Sequence, residues 1–418
     1  MNLEEQIIKM ARSAKEAACQ LSLIPTKAKD EALRAMAKAL ILEKGYLIKE
    51  NKKDLRSAER AGYSKALIDR LTLTEERIQE MSRSLMEIVR LKDPVGEVLN
   101  SFQRPNGLLI KKVRTPIGVI GIIFESRPNV VSDCIGLCLK SGNVSILKGG
   151  KEACHSNKAI FSVLREALKT TPIPVEAIHL ISSIDRQAVI ILLQLDRFVD
   201  LIIPRGGEEL IGMVAEHSRI AVIKHYKGVC HTYVSDKADL EMAYKICWNA
   251  KVQRPGVCNA METLLVHKNS AHHFLPHMIE GFKKAKVEIR GCPATRRIVK
   301  DIKKATERDW SEEYLDLILS IRVVETTTEA INHINHYGSH HSDAIVTEDQ
   351  AEAEEFLKSV DSACLYVNAS TRFTDGYQFG FGAEIGISTD KLHARGPMAL
   401  EELTTYKYIV YGKGQLRE

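Results

Sequence analysis

Val119-Ile120-Gly121-Ile122-Ile123-Phe124 and Val144-Ser145-Ile146-Leu147, separated by a helical pattern that carries Cys134 and Cys138, are the stretch on which the fold turns. Both are short, mainly apolar runs rich in β-branched residues, the pattern of strands buried on both faces. Further runs at Ile178–Ser182, Val199–Ile203 and Ile220–Ile223 alternate with helical patterns. Residues 117–235 therefore read as a βαβ series, a parallel sheet with right-handed crossovers and helices on both faces. Such sheets bind ligands beyond the carboxyl ends of their strands. Two of those ends carry paired glycines, Lys148-Gly149-Gly150-Lys151 and Arg205-Gly206-Gly207-Glu208, each opening a helix. Glycine lets backbone approach a phosphate closely, and a helix N-terminus offers free N–H groups. Either pair alone is also what a tight turn needs. Both together, flanked by Lys148, Lys151 and Arg205, favour a dinucleotide, although the G-x-G-x-x-G fingerprint is absent.

Outward from this core, apolar residues at three- and four-residue spacing from Leu3 to about Leu91 predict a layer of amphipathic helices, with Thr72 or Thr74 as an N-cap ahead of Glu75 and Glu76. Arg104-Pro105-Asn106-Gly107 marks the turn of a β-hairpin over 99–114, and the β-prone run Tyr406–Val410 is a partner for it. A second α/β unit begins near Val229, with strands at Thr232–Val234, Thr263–Val266 and Leu317–Val323, and Ile385–Ser388 follows in the tail. The 418 residues are 44% apolar and 27% charged, ordinary globular composition that excludes a disordered or collagen-like chain. The net charge of +5 is spread along the chain, so no nucleic-acid stripe is expected. The N-terminus has no secretory h-region and no run of eighteen apolar residues occurs, which leads us to expect a cytoplasmic protein with no membrane partner.

Nine cysteines without a C-x-x-C pair fit neither a disulfide framework nor a zinc ribbon. Eight have the ordinary explanation of small hydrophobes in a core. Cys258 differs: it sits in Gln253-Arg254-Pro255-Gly256-Val257-Cys258-Asn259, between Pro and Gly breakers, where a loop holds a side chain rigidly against a cleft. His333, His336, His340 and His341 match no metal-ligand spacing, so no metal is expected. A hydrolase pairing Cys258 with one of fourteen histidines stays open on these residues alone.

Three segments carry a resemblance beyond pattern: Pro116-Ile117-Gly118-Val119-Ile120-Gly121 through Lys148, QRPGVCNAMETLLVH at 253–267, and FGFGAEIGISTDKLHARGPMALEELTTYKYIV at 379–410. They resemble the gamma-glutamyl phosphate reductase family of the aldehyde dehydrogenase superfamily. The resemblance spans nearly the whole chain and is to the monofunctional reductase, not to the synthase fused to a kinase segment. It implies an α/β, aldehyde dehydrogenase-like fold: a Rossmann-type parallel-sheet NADP-binding domain (1–98 and 115–228), an α/β catalytic domain (229–395) and a β-hairpin oligomerisation arm (99–114 and 396–418). It implies NADPH-dependent reduction of L-glutamyl 5-phosphate to L-glutamate 5-semialdehyde in proline biosynthesis, a homo-oligomer, and association with glutamate 5-kinase. The rival readings are another oxidoreductase of the superfamily and an inactive nucleotide-binding paralogue; the intact Cys258 loop argues against the latter.

Residue by residue, Cys258 matches the family's nucleophile and Lys148 the lysine on the cofactor ribose. Arg205-Gly206-Gly207 takes the place of the glycine turn near the pyrophosphate, and Glu313 resembles the glutamate at the nicotinamide ribose. His225 stands where hydrolytic relatives have a glutamate base, which suits an enzyme that must keep water from its thioester. Lys151 stands where many NAD-linked relatives have a glutamate, and a cation suits the extra phosphate of NADPH. A free thiol is only about 3% ionised at pH 7, so a thiolate needs helix N–H groups or a nearby cation. The Cys258 backbone N–H and Asn129 are candidate oxyanion donors. Arg127, Arg254 and Arg372 are candidates for the anionic groups of the substrate, which a guanidinium binds bidentately.

Overall fold

The computed structural model describes residues 2–224 and 227–417. They form two compact units, one built from the described residues of 2–224, 380–386 and 398–417, the other from those of 227–379 and 387–397.

In the first unit, helices α1 (Leu3–Leu21), α2 (Thr26–Leu42), α3 (Lys44–Arg60), α4 (Lys65–Leu71) and α5 (Glu75–Arg90) occupy the expected N-terminal layer. The Thr74 hydroxyl accepts the Arg77 N–H and caps α5, while Thr72 closes α4. A hairpin of β1 (Val98–Gln103) and β2 (Leu109–Pro116) follows, then β3 (Val119–Phe124), α6 (Val130–Lys140), β4 (Val144–Gly149), α7 (Cys154–Leu168), β5 (Ile178–Leu180), α8 (Gln187–Leu193), β6 (Leu201–Arg205) and α9 (Glu208–His217). The sheet is parallel in the order β5-β4-β3-β6. Every residue of β3 is buried, which accounts for its uninterrupted apolar sequence. The run Ile220–Ile223 does not become a strand: only Val222 bridges to Ile202. The Ser218 hydroxyl both accepts from the Ile220 N–H (3.1 Å) and donates to its carbonyl (2.8 Å), tying the chain into a turn where a ladder would begin.

The second unit holds β7 (Cys230–Val234), α10 (Leu240–Val252), β8 (Met261–His267), α11 (Lys268–Lys284), β9 (Glu288–Gly291), α12 (Pro293–Ile298), β10 (Lys303–Lys304), β11 (Ile318–Val324), α13 (Thr327–Tyr337), β12 (Ser342–Val346), α14 (Gln350–Ser359) and β13 (Cys364–Val367). Its sheet is parallel in the order β10-β9-β11-β8-β7-β12-β13. The core on one side is α10 and α11 packed on the sheet through Cys247, Phe274, Met278 and Phe282. Farther along the chain, β14 (Gly386–Ser388) pairs with β15 (Gly396–Met398), and β16 (Thr404–Tyr411) lies antiparallel to β2, from Thr404 opposite Pro116 to Tyr411 opposite Leu109. The tail thus joins the hairpin in a β1-β2-β16 sheet that leaves Phe102, Tyr406, Tyr408 and Val410 exposed. Among the described residues no helix is long and apolar enough to cross a membrane and no group of three or more His, Cys, Asp or Glu is arranged to hold a metal.

Candidate active site

In the first unit, the carboxyl ends of three adjacent strands bring together Glu125–Asn129 after β3, Lys148–Lys151 at β4 and Arg205–Gly207 at β6. Lys148 is buried, with its ammonium donating to the Gly149 carbonyl at 2.9 Å, and burial lowers its pKa against the pull of Cys154, Glu152 and Asp185. An ammonium has three donors, so this buried group has capacity for a hydroxyl partner. Lys151 is exposed at the start of a single 3-10 turn. A Cβ on Gly207 would meet nothing within 4 Å, so the backbone there stands open. These features fit a nicotinamide dinucleotide.

The helix N-termini behind the two glycine pairs behave otherwise than the glycine pattern predicts. The Asp54 carboxylate accepts the N–H groups of His155 (3.1 Å) and Ser156 (2.7 Å) at the start of α7. At α9 the Glu125 carboxylate accepts the Gly207 N–H at 3.1 Å, and Glu208 and Glu209 fill the first turn. Carboxylates thus satisfy groups that a phosphate would otherwise take. Arg205 is half-buried and lies against Gly386, whose absent Cβ would come within 2.8 Å of its guanidinium. The β3 loop is itself pinned: Glu152 accepts both the Ser126 N–H (2.6 Å) and its hydroxyl (3.0 Å), holding Ser126 at φ +52°. Arg127 and Asn129 are exposed on this loop. Asn129 donates its amide to Asp133 at 3.1 Å, and burial raises the pKa of that carboxyl. Glu125 and Glu152 carry no sequence signal that separates them from other surface glutamates.

In the second unit the candidate residues gather at the amino ends of β11, β8 and β7, whereas those of the first lie at carboxyl ends. Cys258 is a free, half-buried thiol in the loop between α10 and β8. The thiols of Cys134, Cys138 and Cys247, by contrast, are buried, and burial holds each of them well above the usual thiol range. Arg372 braces the Cys258 loop at both ends, donating from Nε to the Gln253 side chain (3.0 Å) and from Nη1 to the Asn259 side chain. Asn259 in turn donates to the Thr374 carbonyl at 2.8 Å and accepts from the Thr371 hydroxyl at 2.8 Å. Burial and then the neighbouring Arg254 cation lower the Arg372 pKa, with Cys258 acting in the opposite sense. Arg254, Arg372 and Cys258 therefore share one electrostatic neighbourhood.

Gly228 lies directly against the Cys258 backbone: a Cβ there would sit 1.9 Å from the Cys258 carbonyl oxygen and 2.5 Å from its Cα. The Glu313 Oε1 accepts the Gly228 N–H at 2.9 Å, so this carboxylate supports the Cys258 loop. Buried Cys230 donates its thiol to the Cys258 carbonyl at 3.2 Å. His225 lies outside the described residues. His333, His340 and His341 have partners unrelated to a metal: His333 packs against Trp310, His340 contacts the Asp361 carbonyl and His341 the Ser342 hydroxyl.

Residues 2–297 match the profile of the aldehyde dehydrogenase family. The chain is 53% identical over 418 residues to the gamma-glutamyl phosphate reductase of Thermodesulfovibrio yellowstonii and 54% identical over 418 residues to that of Geobacter metallireducens, covering 100% of both chains in each case. The crystal structure of gamma-glutamyl phosphate reductase from Thermotoga maritima superimposes with a TM-score of 0.97 at 48% identity, over 99% of this chain and 100% of that one. The fold, the cysteine loop and these full-length relatives lead to one conclusion: the chain belongs to the aldehyde dehydrogenase family and, within it, to the gamma-glutamyl phosphate reductases, a family of oxidoreductases.

Proposed function

We propose that this enzyme reduces L-glutamyl 5-phosphate to L-glutamate 5-semialdehyde and phosphate with NADPH, the second step of L-proline biosynthesis, through a thioester on Cys258. The observation that carries this reading is the half-buried Cys258 thiol on a loop that it shares with Arg254 and that Arg372 braces at both ends. The Cys258 sulfur attacks the acyl carbonyl, a carbon–sulfur bond forms and phosphate leaves with the electron pair of the broken bond. The Cys258 backbone N–H and the Asn129 amide hold the oxyanion at each tetrahedral stage. A nicotinamide cofactor supplies the hydride when bound. Cys258 then leaves as thiolate as the hemithioacetal collapses to the aldehyde.

Lys148 binds the cofactor ribose, and Lys151 favours the extra phosphate of NADPH. Arg205, Gly206 and Gly207 line the pyrophosphate, while Glu313 faces the nicotinamide ribose in addition to holding Gly228. Arg127, Arg254 and Arg372 take the substrate's phosphate and α-carboxylate. The exposed aromatic face of β1-β2-β16 is the surface through which copies assemble into a homo-oligomer. This reading assigns the enzyme to the cytoplasm, with glutamate 5-kinase as a partner that supplies the labile acyl phosphate. The test is the reverse reaction: glutamate semialdehyde, inorganic phosphate and NADP⁺ should give NADPH with the native protein and none with Cys258→Ala of unchanged circular dichroism. Retained turnover in the variant would refute the assignment.

A further inference from the structure

Lys251 and Glu262 form an ion pair at 2.6 Å whose side chains are both 0% exposed. Removing two charges from water costs more than their attraction commonly returns, and apolar residues of similar volume often serve stability as well or better. The place of the pair in the chain suggests what it does instead. Lys251 lies in the last turn of α10 and Glu262 near the start of β8, so the pair closes the base of the loop that carries Cys258. Glu262 uses its second oxygen to accept the Leu315 N–H at 3.1 Å, at a residue held in the left-handed region with φ +52°. Two residues earlier, Glu313 holds the Gly228 N–H, and Gly228 lies directly against the Cys258 backbone. The contacts close a ring: Lys251, Glu262, the 313–315 segment, Gly228, Cys258 and back through the loop to Lys251.

We propose that the Lys251–Glu262 pair is a positioning device for the nucleophile, clasping the two ends of the Cys258 loop and, through Leu315 and Glu313, setting the height of Gly228 beneath it. This rests on the reading of Cys258 as the nucleophile. The burial that raises the Glu262 pKa to about 7 and lowers that of Lys251 is the strain the fold accepts to keep the clasp.

The test pairs Lys251→Met with Glu262→Gln in one protein, which removes both charges at nearly constant volume, and takes Glu262→Gln alone as a second variant, because its amide oxygen still accepts the Leu315 N–H. Both should lower kcat for semialdehyde oxidation about a hundredfold, the scale of a misplaced reacting atom, with KM for NADP⁺ within about twofold of native. Amide hydrogen exchange should quicken in residues 253–260 while peptides of the first unit stay unchanged. The double variant should melt no lower than the native protein, which separates positioning from stability. Native kcat and native loop exchange in either variant would overturn the proposal, and so would failure of both to fold, which would assign the pair to the fold alone. Hydrogen exchange reads the loop even if the native protein does not turn over the semialdehyde, so the failure of the functional reading and the failure of the clasp are told apart.

Discussion

Replacing Gly228 by alanine adds one carbon atom at the place where the structure has least room. The new Cβ would stand 1.9 Å from the Cys258 carbonyl oxygen, whereas ordinary contact begins at 3.4 Å, so one segment must retreat by about 1.5 Å. The obstacle is backbone, so no rotamer change relieves it. Gly228 is itself held by Glu313 at 2.9 Å, and the Cys258 loop is braced by Arg372 from Gln253 to Asn259. Misplacement of a reacting group by about 1 Å costs on the order of a hundredfold in rate. Gly228→Ala should therefore lower kcat/KM by at least about a hundredfold, ~2.7 kcal/mol of transition-state stabilisation. Overpacking of this kind costs about 1–3 kcal/mol of stability, so a folded protein should be recoverable. The assay is NADPH formation from the semialdehyde and phosphate, with urea denaturation and cofactor binding measured on the same preparations. A folded Gly228→Ala protein with native kcat/KM would refute the argument that Gly228 fixes the height of Cys258.

Two further outcomes test separate parts of the account. Lys151→Glu should lower the ratio of kcat/KM with NADPH to that with NADH by about tenfold or more, because a carboxylate repels the additional phosphate; an unchanged ratio would remove Lys151 from cofactor selection. His333 is buried, and that burial, with His231 and Arg322 beside it, pushes its imidazole down to about 2. Between pH 6.5 and 5.0 the unfolded chain accepts the proton that the folded one refuses, so stability falls as pH falls, by up to ~2 kcal/mol from this group. Urea denaturation across that window should show the loss, and His333→Gln should flatten the slope; an equal slope in the variant would contradict it.

The first unit was readable because its central strands are buried on both faces: β3 is an unbroken apolar run, and β4 carries Val144, Ile146 and Leu147 with only Ser145 between them. Pairing of the tail with the hairpin followed from an Asn-Gly turn and a β-prone run, and the register Thr404–Tyr411 against Pro116–Leu109 is the result. The second unit was less legible, for physical reasons. Strand β12 contains Ser342 and Asp343, both fully buried, and Asp343 earns its place by accepting from the His231 N–H at 2.8 Å, a partner 112 residues away. Strand β10 is a two-residue edge pairing of exposed lysines, with no hydrophobic signal to read.

The site followed the same division. The Cys258 loop is local and breaker-flanked, so it was visible, but the residues that hold it were not. Gly228 is constrained by an atom thirty residues on and Glu262 by Lys251 across the whole loop; in the first unit, Glu152 is likewise engaged by the separate loop after β3. Glu313 entered through resemblance to a ribose contact, and the structure adds a hydrogen bond to Gly228 that no local pattern encodes. The glycine pairs lie at the carboxyl ends of β4 and β6, where their pattern predicts them, yet Asp54 and Glu125 already hold N–H groups there, so the proposed cofactor recognition rests more on Lys148 and Lys151 than on helix N-termini.

The most direct measurement is a rapid-quench experiment on native protein with glutamate semialdehyde and NADP⁺ in the absence of phosphate, followed by peptide mass spectrometry. A burst of about one NADPH per chain, with a glutamyl adduct on the Cys258 peptide that phosphate discharges, is what covalent catalysis at this sulfur requires. An adduct on another residue, or an equal burst from Cys258→Ser, would contradict it.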